Sequence, residues 1–510
     1  MNISNWIEKH ADFSPEKVAV QFVRDSNSTE VEVWSYAEFE QRINKIASGL
    51  KQKFSVGTGD RVAFLGYNNP DLLVLLFACA RLGAILVPLN WRLAAAEHGY
   101  ILQDCGAAVL VCEEDFRENV ERNRAVVPDC EFVAHGFLAK GWSGFEELLE
   151  SNENLADNPD VTYESLLLII YTSGTTGRPK GAVLTQNALF WNALNSVHMH
   201  DLSAQDHVLS VLPLFHVGPL NIQTVPAFYT GATVTLTPKF DPGQTLKLIA
   251  GLRPSLILLV PVTMQAVLQN ANWEKCDCSS LRSVTTGSSV IPVELIEGFH
   301  QRNIPVGQVY GSTETCPIAA YLRAEDAIRK IGSTGKTALH CEVRVVNESG
   351  NSVAPGEAGE LLVRGANVMK EYWNNADETA KVITDGWYST GDVGFFDEEG
   401  YLFINDRKRD VIISGSENIY PAEIEVVLRE HPDILDVAVV GKTDPEWGEV
   451  PAAFVVKSTQ TELSESEVLL YLSKSIARFK QPKAVYFLAA LPRNTMGKVL
   501  KYELRKIVEG

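Results

Sequence analysis

The chain has 510 residues, of which 45% are hydrophobic and 21% charged, and its formal net charge is −19. This length exceeds what a single hydrophobic core supports, so we expect two to four domains. The acidic balance argues against broad binding to nucleic acid or anionic membranes, because both would repel the chain. The eight cysteines contain no CxxC pair. They predict reduced thiols in a cytoplasmic protein, without zinc. We expect neither a secretory signal nor a membrane span.

The first part of the chain alternates between helical and strand patterns. Tyr36–Phe54 has the apolar spacing of an amphipathic helix, and Arg61–Leu65 is typical of a short strand. Asp71–Leu82 then predicts an apolar helix, and Ala84–Pro88 another strand. Further strand patterns occur at residues 108–111, 256–260 and 283–285. Strand–helix–strand alternation is typical of layered parallel sheets, so the predicted fold class is α/β.

A loop rich in glycine and hydroxyl groups follows the apolar run at residues 166–170. Residues 171–181 read YTSGTTGRPKG. Glycines let backbone N–H groups approach an anion, hydroxyls add donors, and Arg178 and Lys180 add charge. The pattern predicts a polyphosphate-binding loop. It is not a Walker loop, because Lys180 precedes a glycine instead of a serine or threonine. A flexible surface connection is the alternative interpretation.

The pattern of predicted secondary structure changes from about residue 343. Short strand patterns separated by Gly, Pro and acidic turns predict a β-rich subdomain at about 340–404. The charged run Asp406–Asp410 lies between two apolar strands and predicts a boundary. The tail has helix starts near Pro421 and Ser464 and two strand patterns, which predicts a small α+β unit. The predicted domains are 1–404, a hinge at 405–410, and 411–510.

Six motifs occur in order along the chain. They are YTSGTTGRPKG (171–181), LPLFH (212–216), YGSTE (310–314), WYSTGD (387–392), DRKRDVIISGSENIYPAEIE (406–425) and PRNTMGKVLK (492–501). Because of these six motifs, the chain resembles the adenylate-forming superfamily of acyl-CoA synthetases, peptide-synthetase adenylation domains and luciferases. The resemblance extends over nearly the whole length of the chain. Within this superfamily, its overall sequence pattern most resembles that of bacterial fatty-acyl and aromatic-acid CoA ligases. The resemblance implies a large N-terminal domain of layered subdomains that binds ATP and the acyl group, and a small mobile C-terminal lid domain.

The resemblance implies an AMP-forming acyl-CoA synthetase, an acid–thiol ligase, that works in two half-reactions. A carboxylate attacks the α-phosphorus of ATP, which gives an acyl-adenylate and pyrophosphate. The thiol of coenzyme A then attacks the activated carbonyl and releases AMP. Carboxylate and polyphosphate repel each other, so Mg²⁺ and protein cations are expected to offset that repulsion. The small domain is implied to rotate at the hinge between the half-reactions.

The resemblance also implies which residues meet the phosphates of ATP. The loop residues that would hold the β- and γ-phosphates are Thr172, Ser173, Gly174, Thr175, Thr176, Gly177 and Lys180. Glu314, together with Thr172, would supply oxygen ligands for Mg²⁺, which prefers them. Thr313 would reach the α-phosphate. Lys498 would stabilise charge at the α-phosphate during adenylation, because lysine is a compact and mobile point charge.

The nucleoside of ATP has its own implied contacts. Tyr310 and Gly311 would lie against adenine on one side, and the backbone at 287–289 on the other. The glycine and serines of that backbone are Gly287, Ser288 and Ser289. Asp392 would accept both ribose hydroxyls, because one carboxylate offers two acceptor oxygens to a vicinal diol. Arg407 would support the ribose or the α-phosphate region.

The acyl pocket is implied to lie beside His216, either lined or gated by that side chain. A buried histidine with satisfied hydrogen bonds is the alternative interpretation. The implied pocket walls are Val217, Gly218, Asn221, Thr286, Gly287, Gly311, Cys316 and Pro317. Most of them are small or apolar, and none is a cation that could pair with a second carboxylate. We therefore expect a monocarboxylic acid with an apolar body, either fatty or aromatic.

Two departures from the family pattern and three alternatives accompany this interpretation. Arg409 stands where Asp or Lys is usual, and Ser416 where a glycine is common in the loop that faces CoA.

The alternatives are an acyl-AMP ligase that loads another acceptor, a luciferase-like oxygenase, and a catalytically silent nucleotide-binding regulator. The expected partners are the acid, ATP and CoA, without nucleic acid, and a homodimer stays open.

Overall fold

A computed structural model of the protein describes most of the chain. The described residues are 1–24, 31–151, 158–172, 178–287, 291, 293–347, 349–407, 412–415, 417–419, 421–458, 462–492, 499 and 501–509. At positions 405–407, 418, 422 and 502 the description is of the backbone alone.

A sheet of nine strands forms one layer of the N-terminal part. Its strands, in spatial order, are Lys336–Thr337, Ala320–Leu322, Val306–Tyr310, Ser283–Gly287, Leu256–Leu258, His207–Ser210, Thr233–Leu236, Val18–Phe22 and Glu32–Ser35. The six strands from Val306–Tyr310 to Val18–Phe22 run parallel, and antiparallel strands cover both edges. Because parallel neighbours end at the same edge, their carboxyl ends bring sequence-distant loops together.

A second sheet of eight strands carries the glycine-rich loop. Its spatial order is Glu371–Tyr372, Lys180–Thr185, Leu166–Thr172, Ile85–Pro88, Arg61–Leu65, Val109–Glu113, Glu131–His135 and Ser143–Gly144. The strands from Leu166–Thr172 to Ser143–Gly144 are parallel, whereas the first two pairs are antiparallel. The loop therefore lies in a hairpin at one side of the sheet.

Helices cover these sheets. The α-helices of the N-terminal part are Ser4–Phe13, Tyr36–Phe54, Pro70–Leu82, Ala95–Cys105, Arg117–Glu121, Gln186–His200, the single turn Val217–Pro219, Val225–Thr230, Pro242–Leu252, Pro261–Leu268, Val293–His300 and Ala376–Val382. Short 3₁₀ segments are Glu114–Phe116, Arg124–Val126, Phe145–Glu150, Trp273–Lys275 and Thr313–Thr315. A π-helical segment spans Leu220–Thr224.

The helix Pro70–Leu82 shows how sequence positions the layers. Asn69 caps it by accepting a hydrogen bond from the backbone N–H of Asp71, and Pro70 occupies the first turn, where its missing N–H is harmless. Every residue of the helix is buried, including Arg81, which pairs with Glu40 at 2.8 Å. A helix that is apolar all round belongs inside a molecule. It lies in the core cluster that joins the two sheets.

The remainder of the chain forms two smaller sheets. One is antiparallel and consists of Cys341–Val346, Gly359–Gly365, Trp387–Phe396, Ile383–Thr384 and Leu402–Arg407. The other consists of Glu417–Ile419, Ile412–Ser414, Gly448–Lys457, Ile434–Asp444 and Ala484–Phe487. The helices Pro421–Arg429, Glu465–Leu472 and Lys501–Glu509 and the 3₁₀ turn Arg478–Lys480 accompany the last sheet.

The predicted α/β fold class is confirmed, with a large N-terminal and a smaller C-terminal part. The helix predicted at Tyr36–Phe54 has those bounds, because Ser35 and Glu38 form a capping box at its start. All eight cysteines are free thiols, and seven of them are buried. No helix in the described ranges is long and apolar enough to cross a membrane.

Candidate active site

The two strands that flank the glycine-rich loop form an antiparallel hairpin. Thr172 ends the first strand and Lys180 begins the second, and the two residues face each other in register. The Thr172 hydroxyl donates to the Lys180 carbonyl at 3.4 Å. The predicted phosphate-binding residues between them, 173–177, lie outside the described part of the chain. The hairpin thus fixes both ends of the loop at one edge of the eight-stranded sheet.

Lys180 is buried and forms an ion pair with Glu378. Hydrogen bonds from Lys180 and from Lys381 lower the pKa of the Glu378 carboxyl to about 2. Glu378 on the helix Ala376–Val382 therefore offsets part of the charge of Lys180, because Lys381 shares the same carboxylate. No local sequence pattern marks Glu378 as the partner of Lys180, because 198 residues separate them.

Tyr372 connects the hairpin to Glu314. Its strand pairs with Lys180–Thr185, and its ring centre lies 5.3 Å from the Lys180 ammonium. Its hydroxyl donates a hydrogen bond to Glu314 Oε1 at 2.7 Å. Glu314 is buried, and its carbonyl accepts from the backbone N–H of Met369 at 2.7 Å. The structure thus links the predicted carboxylate to the hairpin strand Lys180–Thr185 through a tyrosine that sequence reasoning missed.

Two predicted nucleoside contacts are neighbours in the structure. Tyr310, at the carboxyl end of its strand, donates from its hydroxyl to Asp392 Oδ2 at 2.9 Å. Asp392 pairs in register with Arg407 on the adjacent antiparallel strand, so the backbone brings these two residues together.

Glycine is required beside Tyr310. A Cβ at Gly287 would come within 2.7 Å of the Val309 carbonyl oxygen, and one at Gly311 within 1.5 Å of the Pro317 carbonyl oxygen. Side chains at these two positions would push the backbones apart. Thr313 lies half-buried on the 3₁₀ turn that also carries Glu314.

His216 contacts a residue from the C-terminal sheet. Its Nε2 lies 3.3 Å from Glu417 Oε1, and Arg92 pairs with the same oxygen. The Arg92 guanidinium lies 4.9 Å from the ring centre of Trp91. Glu417 is buried, which by itself raises the pKa of its carboxyl, but His216 and Arg92 outweigh burial and hold that pKa well below its usual range. Glu417 is therefore ionised, and it ties residues 417–419 to His216.

A second buried ionic contact joins the same two parts of the chain. The Lys480 ammonium lies 2.7 Å from Glu97 on the helix Ala95–Cys105 and 2.7 Å from Glu423 on the helix Pro421–Arg429. The other oxygen of Glu97 accepts the backbone N–H of Ala477 at 3.0 Å. The two carboxylates raise the pKa of Lys480 although burial opposes them. The triad of Lys480, Glu97 and Glu423 therefore links the N-terminal part of the chain to the C-terminal part.

The segment after His216 contains Asn221, one of the residues predicted to line the acyl pocket. Asn221 lies on the π-helical segment and donates from its amide to Cys316 Sγ at 3.5 Å. Both residues are buried. The contact supports their predicted proximity.

Several predicted functional residues lie outside the described residues. They are Ser173, Gly174, Thr175, Thr176, Gly177, Ser288, Ser289, Arg409, Ser416 and Lys498. Within the described ranges, no group of three or more His, Cys, Asp or Glu side chains is arranged to hold a metal ion.

Comparison with known proteins finds relatives over nearly the whole chain. An indoleacetate–CoA ligase from Aromatoleum aromaticum is 49% identical over 510 residues, which cover 100% of this chain and 98% of the relative. A feruloyl-CoA synthase from an Amycolatopsis species is 39% identical, and a long-chain-fatty-acid–CoA ligase from Mycobacterium tuberculosis is 37% identical. Each of these two alignments covers 99% of this chain and 98% of the relative.

A solved structure has the same fold across both parts. It is a double mutant of o-succinylbenzoate CoA synthetase from Bacillus subtilis bound with a product analogue. It matches with a TM-score of 0.88 and 32% identity, covering 98% of this chain and 97% of that chain. The profile described as AMP-binding enzyme matches residues 7–373, and that of its C-terminal domain matches residues 423–498. With these matches over nearly its full length, the chain belongs to the AMP-binding enzyme family and is an acid–thiol ligase.

Proposed function

We propose that this ligase activates an aromatic monocarboxylic acid with ATP and transfers the acyl group to coenzyme A. The observation that carries the proposal is a pair of hydrogen bonds: Tyr372, next to the hairpin, donates to Glu314, and Tyr310 on the strand just before Glu314 donates to Asp392. In this proposal the loop binds the phosphates of ATP, the Glu314 carboxylate binds the accompanying Mg²⁺, and the Asp392 carboxylate accepts the ribose diol. The reaction passes through an acyl-adenylate.

The nucleotide is bound by residues from four segments. In our proposal the loop 172–180 holds the β- and γ-phosphates, and Thr313 contacts the α-phosphate. Tyr310 lies against adenine, and Asp392 accepts the ribose hydroxyls with Arg407 beside it. The Tyr310–Asp392 hydrogen bond supports this division, because it fixes the carboxylate next to the aromatic ring before ATP arrives.

The oxygen atoms of Glu314 and Thr172 fit Mg²⁺. In the described part of the chain, Tyr372 occupies one carboxylate oxygen of Glu314 and so orients the carboxylate without neutralising it. Mg²⁺ needs few protein ligands and prefers hard oxygens. Bound there, it would offset the negative charge of the phosphates. Lys180 contributes less than a free lysine would, because Glu378 offsets part of its charge.

Lys498 supplies the cation for adenylation, and the C-terminal part then supports thioester formation. We propose domains at 1–404 and 411–510 with a hinge at 405–410, although residues 405–407 also continue the strand Leu402–Arg407. The contact of Glu417 with His216 and Arg92 supports a role for residues 412–419 at the acyl group during the thiol step.

An aromatic acid is favoured over a fatty acid by the relatives. The relatives named for indoleacetate and ferulate are 49% and 39% identical, whereas the one named for long-chain fatty acids is 37% identical. A fatty acid is the second candidate on the ground of that last relative.

The test is a panel of acids from acetate to palmitate with benzoates, cinnamates and arylacetates, assayed for CoA-dependent AMP release. We expect the highest kcat/KM with an aromatic acid. Preference for palmitate would contradict the substrate class, and no AMP with any acid would contradict the function. The Lys498→Ala variant should lose ATP–pyrophosphate exchange while it still binds ATP. Unchanged exchange would contradict the proposed role of Lys498.

A further inference from the structure

Three hydrogen bonds hold the turn that carries Arg92. The side-chain oxygen of Asn90 accepts the backbone N–H of Arg92 at 2.9 Å, and the Asn90 carbonyl accepts the backbone N–H of Leu93 at 3.1 Å. His98, in the first turn of the helix Ala95–Cys105, reaches back to the same carbonyl, and its Nε2 lies 2.8 Å from the oxygen. The first two bonds shape the turn, and the bond from His98 ties it to the helix.

The proton on the His98 ring can be placed. The ring is buried, with 1% of the residue's surface exposed, and burial lowers its pKa below the usual value of 6.5. It is therefore neutral near pH 7 and carries one proton, which lies on Nε2 because the Asn90 carbonyl can only accept. His98 Nδ1 has no hydrogen-bond partner among the described residues. Within that part of the chain, the ring thus makes one hydrogen bond, the one to the turn.

The turn and the start of the helix both contact the C-terminal part of the chain. Arg92 pairs with the buried Glu417, and Glu97, the residue before His98, binds Lys480 at 2.7 Å. Glu97 is part of the helix, whereas Arg92 lies in the turn outside it. The placement of Arg92 relative to Glu97 therefore depends on the hydrogen bond from His98 to the turn.

We propose that His98 is a positioning residue for the thiol step: its Nε2–H holds the Asn90 carbonyl and thereby presents Arg92 to Glu417. This inference rests on the proposed function, in which the contact of Arg92 with Glu417 belongs to thioester formation. His98 is buried and acts through the backbone of the turn. Adenylation does not depend on His98, because in our proposal that step uses the cation of Lys498.

The test measures the two half-reactions separately in variants of His98. His98→Met removes the donor at a similar side-chain volume, and His98→Gln keeps an N–H at the place of Nε2. With acyl-adenylate and CoA supplied, thioester formation should fall about 3- to 10-fold in His98→Met, the range of one uncharged hydrogen bond, and stay within about twofold of wild type in His98→Gln. ATP–pyrophosphate exchange should change in neither variant. The thermal midpoint of His98→Met should change little, because the Asn90 carbonyl keeps the N–H of Leu93 and the unpartnered Nδ1 is gone.

A double-mutant cycle tests whether His98 acts through Arg92. In the Arg92→Gln background, His98→Met should lower thioester formation by less than about twofold, because the turn then has no guanidinium to present. His10→Met is the matched control. His10 Nε2 makes the same kind of contact, 3.1 Å from the Tyr229 carbonyl oxygen, on the helix Ser4–Phe13, and its loss should change neither half-reaction.

Three results would overturn the inference while the ligase function stands. They are an equal fall of exchange and thioester formation in His98→Met, unchanged thioester formation in that variant, and a full effect of His98→Met in the Arg92→Gln background. His98→Asn, whose amide is too short to reach Asn90, is a second variant without the bond, so the comparison holds even if methionine prevents folding. If the wild-type protein releases AMP with no acid, the proposed function itself is refuted, and the role of His98 with it.

Discussion

Lys480 offers a way to separate the two half-reactions. Its side chain is only 4% exposed and lies between Glu97 and Glu423, whose side chains are 14% and 7% exposed. In the Lys480→Met variant, two buried carboxylates would face each other without a cation. Breaking a buried ion pair in this way costs about 3–5 kcal/mol, which corresponds to two to almost four orders of magnitude in an equilibrium constant.

Separation of the two parts of the chain would relieve that cost, because both carboxylates could then reach water. We therefore expect Lys480→Met to disfavour the arrangement in which Glu97 and Glu423 meet. With acyl-adenylate supplied, CoA-dependent thioester formation should fall at least tenfold. ATP–pyrophosphate exchange, which in our proposal depends on Lys498, should change by less than about threefold. Both steps are measurable on the same preparation.

Two variants control for other causes. Lys483→Met removes an exposed lysine from the same segment and should leave both steps unchanged. The double variant Lys480→Met/Glu97→Gln removes one of the facing charges and should regain part of the lost thioester activity, because the coupled residues are not additive. An equal fall in exchange and thioester formation, or no fall in either, would refute the reasoning.

Three further predictions concern the site and its support. Tyr372→Phe removes the hydroxyl that donates to Glu314, and losing a hydrogen bond to a charged group costs about 1.5–3 kcal/mol. We therefore expect kcat/KM for ATP to fall by about 10- to 100-fold in exchange assays. An unchanged kcat/KM would contradict the proposed role of Glu314. Tyr310→Phe and Asp392→Asn should be non-additive in ATP affinity by about 0.5–3 kcal/mol, and strict additivity would mean that their hydrogen bond contributes nothing. Because burial lowers the pKa of His200 from 6.5 to about 4, the unfolded state binds more protons between these pH values, and stability falls by about 3 kcal/mol as the pH drops from 6.5 to 4. Between pH 7 and pH 5 the part due to His200 is about 2 kcal/mol, and His200→Gln should lose that part from its change in thermal midpoint; an identical pH dependence would contradict the lowered pKa of His200.

The sequence predicts what is local in this protein. The helix Tyr36–Phe54 and the strand Arg61–Leu65 follow from apolar spacing and caps, because the residues that decide them are neighbours along the chain. The strand Leu166–Thr172 follows from its apolar run in the same way.

The partners of the candidate site were not predicted, because they come from distant segments. Glu378 is recognisable only once the helix Ala376–Val382 is known to lie beside Lys180. Likewise, Glu417 is recognisable as a partner of His216 only once the C-terminal sheet is known to lie beside it.

The pairing of Lys180 with Glu378 has a consequence for how the protein is made. Glu378 follows Lys180 by 198 residues along the chain, and Glu417 follows His216 by 201 residues. At a synthesis rate of about 5–20 residues per second, the ribosome needs roughly 10–40 s to add the residues that complete these contacts. Throughout that time the buried lysine of the nascent chain has no counter-charge from Glu378, and the strand Lys180–Thr185 has an open edge where Tyr372 will later bind. Nascent chains that end before residue 371 are therefore expected to depend on chaperones, and nucleotide capture is expected to begin only near the end of translation.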